Sequence, residues 1–214
     1  MLKQVTIVAV PSILQQCFVS VGNLFVQSAV NSFGSAVVAG FSACQKLNVF
    51  CVTCMTTLSN GLSSFTAQNL GAKKTERISE GWKAGSLLGV LVCVPFFLFY
   101  FFCSKTAMGL FLEADSTDAI QAGADFLKIV TPFYFIVIFK VMCDGVLRGC
   151  SAMLQFLTGT FADLFLRVAF AFLFAKVLDF GPTGIWMAWP IGWTLSTLIS
   201  YFFYSRKPWE KTSN

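Results

Sequence analysis

Histidine is missing altogether from this 214-residue chain, and charged residues are scarce at 12%, against about 25% in an ordinary globular protein. The first absence excludes a Ser-His-Asp triad, a histidine proton shuttle and a histidine-ligated metal. We therefore expect no enzyme, no catalytic residue, no metal and no cofactor. Eight cysteines are present, and Cys51-Val-Thr-Cys54 has a CxxC spacing, but no second pair and no histidine completes a zinc site. They read as small, buried, free thiols. A formal charge of +5 does not call for nucleic acid, because the basic residues sit at the ends of hydrophobic segments.

What the chain does have is apolar length. It is 56% hydrophobic with 25 phenylalanines, and its mean hydropathy is +0.73. About 20 apolar residues make one spanning helix, so a chain this long with short loops has room for about six. The expected fold is all-α: a polytopic membrane protein with six transmembrane helices and no soluble domain. We place the spans at about residues 5–30, 36–70, 84–103, 120–148, 154–177 and 185–204.

Polar residues inside these spans are the candidates for function. In the first span Gln16, Ser20, Asn23, Gln27 and Asn31 follow helical steps and form one stripe, suited either to interhelical hydrogen bonds or to a substrate path. Pro11 falls where it starts or bends that helix. The second span carries Lys46 and a Thr/Ser/Asn run from Thr53 to Ser64. It reads as a central, partly hydrated helix, with Lys46 facing inward or snorkelling to the nearer interface. Gly71 is placed to end it.

The stretch Thr131 to Gly149 is apolar yet bears Lys140, Asp144 and Arg148 at successive i,i+4 positions, hence on one face. Charge near the bilayer centre costs about 2.5–3.5 kcal/mol even on a lenient scale, so this face belongs in a bundle interior or a wet cavity. A plainer reading has Arg148 marking the helix end, Asp144 pairing with it and Lys140 snorkelling. Asp163 and Arg167, again four apart, read as a structural ion pair. Trp186, Trp189 and Trp193 read as an aromatic belt near the outer interface.

Nine basic residues near span ends (Lys3, Lys73, Lys74, Arg77, Lys83, Arg148, Arg206, Lys207 and Lys211) fall on one side, against Lys105, Lys128 and Lys176 on the other. That bias puts both termini in the cytoplasm, in a bacterial-type plasma membrane.

Several stretches in order, Pro11-Ser-Ile-Leu-Gln-Gln16, Gly22-Asn-Leu-Phe-Val-Gln27, Asn31-Ser-Phe-Gly34, Ala67-Gln-Asn-Leu-Gly-Ala72 with Glu76-Arg77, Asp144-Gly-Val-Leu-Arg-Gly149, Leu166-Arg167-Val168 and Gly184-Ile-Trp-Met-Ala-Trp-Pro-Ile-Gly-Trp193, resemble the multidrug and toxic compound extrusion (MATE) transporters. They match the C-terminal six-helix lobe of that family. The sequence departs from the family's RGxG pattern at Ser151, where a loosened helix contact is the expected effect. The resemblance implies an antiporter that exports amphipathic, often cationic small organic compounds in exchange for sodium ions or protons. Two six-helix lobes then enclose a central cavity. The implied partners are the lipid bilayer and a second lobe, whether a preceding segment, a separate chain or a second copy. The family's cation-binding carboxylate on the first helix of the N-terminal lobe has no counterpart here, and position 137 is Val.

Joined to the reading of the residues, this makes Gln16, Asn23, Gln27, Lys46 and Lys140 the candidate cavity wall and Asp144 the candidate coupling carboxylate. Two rivals stand beside it: a flippase for lipid-linked saccharides with a related fold, and a non-transporting half that only packs with a partner.

Overall fold

The computed structural model describes residues 2–212. The side chains of Lys3, Pro11 and Lys211 lie outside the described residues. Helices account for every regular element among the described residues: α1 (Leu2–Asn31), α2 (Ser35–Gly71), α3 (Glu76–Phe102), a short α4 (Ser104–Gly109), α5 (Thr117–Val130), α6 (Tyr134–Gly149), α7 (Met153–Phe172), α8 (Gly181–Ser205) and a short α9 (Pro208–Thr212). A 3-10 turn at Thr131–Phe133 joins α5 to α6, and a π turn at Leu173–Val177 extends α7. Pro132 lies in that 3-10 turn, where the missing N–H breaks the helical ladder and bends the span.

Among the described residues, five segments are long and apolar enough to cross a membrane: 12–31, α2, α3, α5 to α6, and α7 with its π turn. α8 has the length, 25 residues or about 37 Å, but its tryptophan, proline, glycine and serine side chains dilute its hydropathy. Those side chains are buried in the bundle, so protein replaces lipid around them.

Close approaches fix the register. Gly40 of α2 lies against Ala119 and Gly123, Gly145 against Ser59, and Gly149 against Ser63, so α2 runs parallel to α5 and α6. Gly81 meets Phe65 and Gly85 meets Leu62, so α3 is antiparallel to α2. Gly184, Gly192 and Gly159 face Phe174, Asp163 and Ser200 in turn, making α7 and α8 antiparallel. α1 lies beside α7 in parallel, with Gln15 near Thr160 and Gly22 on Leu164. The result is α1, α3 and α7 running one way and α2, α5 to α6 and α8 the other.

The α2–α6 seam is the tightest. A Cβ on Gly149 would sit 2.5 Å from the Ser63 carbonyl, and one on Gly145 2.7 Å from that of Ser59. Gly145-Val-Leu-Arg-Gly149 is thus a GxxxG ridge meeting small residues on α2, which lets the two backbones approach where lipid supplies no hydrophobic drive.

Three sequence expectations change. α3 begins at Glu76 rather than near residue 84, so two charged turns stand before its apolar run. α2 ends in a six-to-one bond from Lys74 N–H to the Asn69 carbonyl with Lys73 left-handed at φ 57; Lys73, not Gly71, is the reversal residue. Ser151 occupies the same position after α6, also at φ 57, and is exposed. Glycine there serves backbone conformation rather than a helix contact.

Candidate functional site

α6 is the most enclosed of the spans, and its charged face lies inside the bundle. Lys140 Nζ donates to Asp144 Oδ2 at 2.7 Å, and Ser200 Oγ of α8 donates to Asp144 Oδ1 at 2.8 Å. Lys140 is 9% exposed and Asp144 6%. Ser200 approaches because Gly159 of α7 leaves room, a Cβ there falling 2.6 Å from the serine oxygen. Both carboxylate oxygens are therefore engaged by donors from two helices. Of the sequence readings for this face, Lys140 does not snorkel; it is buried on Asp144.

Arg148, one turn further on, reaches the other way. Its Nη2 donates to Ser59 Oγ at 3.0 Å, and Ser59 Oγ donates to the Val141 carbonyl at 2.6 Å. The guanidinium also lies 5.5 Å from the Phe156 ring. α6 is thus tied by its charges to α8 on one side and to α2 on the other.

The expected Asp163–Arg167 ion pair is not formed. The ion pairs among the described residues are Lys140–Asp144 and Lys207–Glu210. Arg167 instead stacks its guanidinium 4.4 Å from the Trp189 ring, while Asp163 Oδ1 is buried without a hydrogen-bond partner and faces Gly192. A guanidinium over an indole face gains cation–π attraction, which draws it toward α8 and away from its neighbour on α7. Asp163 lies within electrostatic reach of Lys140. The tryptophans are likewise interior: Trp186 stacks on Phe41 at 5.2 Å, and Trp189 and Trp193 pack edge-on at 5.5 Å. They form part of the core, not a belt, because α8 is covered by α5, α6 and α7.

The remaining candidates are dispersed. Gln16 and Asn23 of α1 are exposed and Gln27 is half-buried; Gln27 Nε2 donates to Asn31 Oδ1 at 2.9 Å. Lys46 is exposed as well, its ammonium 5.7 Å from the ring of Phe111 in the α4–α5 loop. It has no contact with Lys140 or Asp144, whose ion pair is closed on itself. The structure brings together Lys140 and Asp144 and keeps the amide stripe and Lys46 apart from them.

The continuous polar surface is on α2. Thr53, Thr56, Thr57, Asn60, Ser64 and Gln68 are all exposed and fall within roughly a third of the helix circumference. Among the described residues, no large apolar side chain between Phe50 and Leu87 is exposed.

Comparison with known proteins decides what this bundle is. The MatE family model matches residues 11–173. The chain belongs to the MATE family. Its relatives include two from Bacillus subtilis (strain 168), named probable multidrug resistance proteins YpnP and YoeA. They are 25% and 22% identical, each over 94% of this chain. The fold is that of MATE crystal structures: 99% of the chain superposes on one in the bent conformation with a TM-score of 0.90 at 19% identity. An inward-facing multidrug resistance MATE transporter gives 0.87 over the whole chain at 20% identity. The chain spans a little under half the length of these curated relatives, 44% and 43%, and 47% to 50% of the solved chains. MATE proteins are integral membrane transporters rather than enzymes, in line with the absence of histidine.

Sequence reasoning missed three parts of the MATE bundle's polar interior. Ser59 sits within the polar run of α2 and Ser200 one turn after Ser196 and Thr197, and nothing in those runs marks these two hydroxyls as the ones that meet α6. The unpartnered Asp163 oxygen has no sequence signal at all. All eight cysteines are free, as expected, but Cys17 and Cys103 are exposed rather than buried.

Proposed function

We propose that this chain forms one lobe of a two-lobe antiporter that exports amphipathic, often cationic organic compounds against an inward flow of sodium ions or protons, with both termini cytoplasmic. One observation carries the reading: a spanning helix exposes the polar stripe Thr53 to Gln68. The Thr56 and Thr57 hydroxyls bond back to the Thr53 carbonyl, but the Asn60 and Gln68 amides turned to hydrocarbon would lose their hydrogen bonds, so such a face belongs against a wet cavity or a facing lobe. The amides of α1 lie on a second exposed face and offer donors and acceptors without committing to one ligand charge. The names of the relatives, the share of their length covered and the equal likeness to an inward-facing and an outward-facing structure (TM-scores of 0.87 and 0.86) support a lobe that moves as one body.

In the coupling step, Asp144 is the ion-binding carboxylate. Its oxygens are held by Lys140 and Ser200, so a proton or sodium ion binds only when the ammonium leaves. Asp163, with an unpartnered buried oxygen within electrostatic reach of Lys140, is the alternative partner. Lys140 moving between the two carboxylates makes ion binding and helix rearrangement one event. Lys46 has no part in this.

The test is dye movement in proteoliposomes under an imposed sodium or pH gradient, with the chain alone and together with the other half of a full-length relative. Gradient-driven transport of a cationic dye that is lost in Asp144→Asn and in Lys140→Ala is the expected result. Normal transport by Lys140→Ala would sink the coupling role. Failure of every pairing to move dye would sink the lobe reading.

A further inference from the structure

Beside the polar stripe, α2 and α3 together line an open groove of about 500 Å³. Leu58, Leu62, Phe65 and Leu88 line its body, and Arg77 and Glu80 line its mouth. Leu88 lies eleven residues beyond Arg77, about 16 Å deeper along α3. Next to it α3 is openly apolar: Leu87 is 65% exposed and Leu91 59%. The groove thus runs from the charged start of α3 into the lipid-facing part of the helix.

We infer that this groove is a binding site for a phospholipid whose head group carries a phosphate and a primary ammonium. An acyl chain suits its apolar body. The mouth holds one cation and one anion, three residues apart on one helical face, and neither enters an ion pair among the described residues. Arg77 keeps its guanidinium 5.7 Å from the Phe65 ring, at the groove wall. A guanidinium matches the phosphate oxygens, and the Glu80 carboxylate accepts hydrogen bonds from an ammonium. A choline head lacks those N–H donors, and a glycerol head lacks the positive charge. The site is independent of whether the chain transports anything.

Gly61 supplies the decisive variant. It lines the groove, and a Cβ built on it meets no atom within 4 Å, so Gly61→Phe fills the groove while leaving the helix contacts intact. The purified chain in detergent is given equal amounts of phosphatidylethanolamine, phosphatidylglycerol and phosphatidylcholine, and retained lipid is counted by native mass spectrometry. We expect one phosphatidylethanolamine retained about fivefold over either competitor, the size of one interfacial charge contact. Gly61→Phe should abolish the retention with thermal unfolding unchanged, and Glu80→Gln should erase the preference over phosphatidylcholine. Equal retention of all three lipids would show ordinary boundary lipid and overturn the proposal. Preference for phosphatidylglycerol would also overturn it, showing that Lys73, Lys74 and Lys83 act as a diffuse basic patch. Undiminished retention in Gly61→Phe would remove the groove, and the Glu80→Gln arm decides the head-group reading even if Gly61→Phe folds poorly.

Discussion

α2 and α3 are neighbours packed on the same helix, α6, and both leave much of their surface open, yet the two open surfaces are chemical opposites. α3 turns Leu87, Leu88, Leu91, Val94, Leu98 and Phe102 outward; from Thr53 to Gln68 α2 turns out threonine, asparagine, serine and glutamine. Their buried sides differ as well. α3 is held by apolar contacts such as Gly89 on Ile138, whereas α2 adds the Ser59–Arg148 link to a backbone-close seam. The lesson is that one continuous polar zone runs from the open face of α2 through α6 to Ser200 of α8, apart from the exposed amides of α1 and Lys46, and that on the open face of α3 the membrane sets the composition.

The sharpest way to break this contrast is to unbalance the zone at its centre. Lys140→Met strands a buried carboxylate on Asp144 and should cost about 3–5 kcal/mol, read as a large fall in detergent unfolding temperature. Lys140→Met with Asp144→Leu should recover most of that loss, since an apolar pair replaces an ionic one. Next comes an arginine placed on each open face. Leu91→Arg should cost about 3 kcal/mol in membrane insertion, measured by glycosylation mapping, while Asn60→Arg should cost well under half as much; equal penalties would erase the distinction between the two faces. The α2–α6 seam is the third target. Gly149→Leu forces the backbones apart and should cost about 2–3 kcal/mol in detergent unfolding, whereas Gly61→Leu on the open side of α2 should cost nothing measurable. The smallest effect is at the end of α6, where Ser151→Gly relieves a left-handed serine and should stabilise by about 0.5–1 kcal/mol, seen as a slightly higher unfolding temperature.

The all-helical fold was legible because bilayer thickness dictates span length, and the charged face of α6 was legible because i,i+4 spacing is a local property. The ends of helices were read less well. Gly71 looked like the reversal residue by type, but the left-handed residue is Lys73, two positions later, with Lys74 N–H closing the six-to-one bond, a choice made by where the chain must turn. The Asp163–Arg167 pairing failed for a similar reason. Spacing places two side chains on one face of α7, and α8 then supplies Trp189 as a competing partner that no spacing rule contains. Lys46 was assigned to a shared wall from its polarity alone, whereas its direction depends on Phe111, 65 positions away in the numbering and brought close only by the α4–α5 loop. The proposed coupling role of Asp144 rests on the geometry around it rather than on any motif.

The pairing of α2 with α6 also sets a problem of timing. Ser59 and Arg148 are 89 residues apart in sequence, and a ribosome adding about 5–20 residues per second takes roughly 4–18 seconds to cover that distance. For that interval α2 exists with its serines, threonines and asparagines and without the helix that holds it. α3, following after a four-residue turn, is the partner available first, and its inner face, where Gly81 and Gly85 meet Phe65 and Leu62, can shield one flank of α2 from lipid while α6 is still being made. The order of spans along the chain thereby acts as a built-in escort: the greasy helix arrives early so that the wet one can wait.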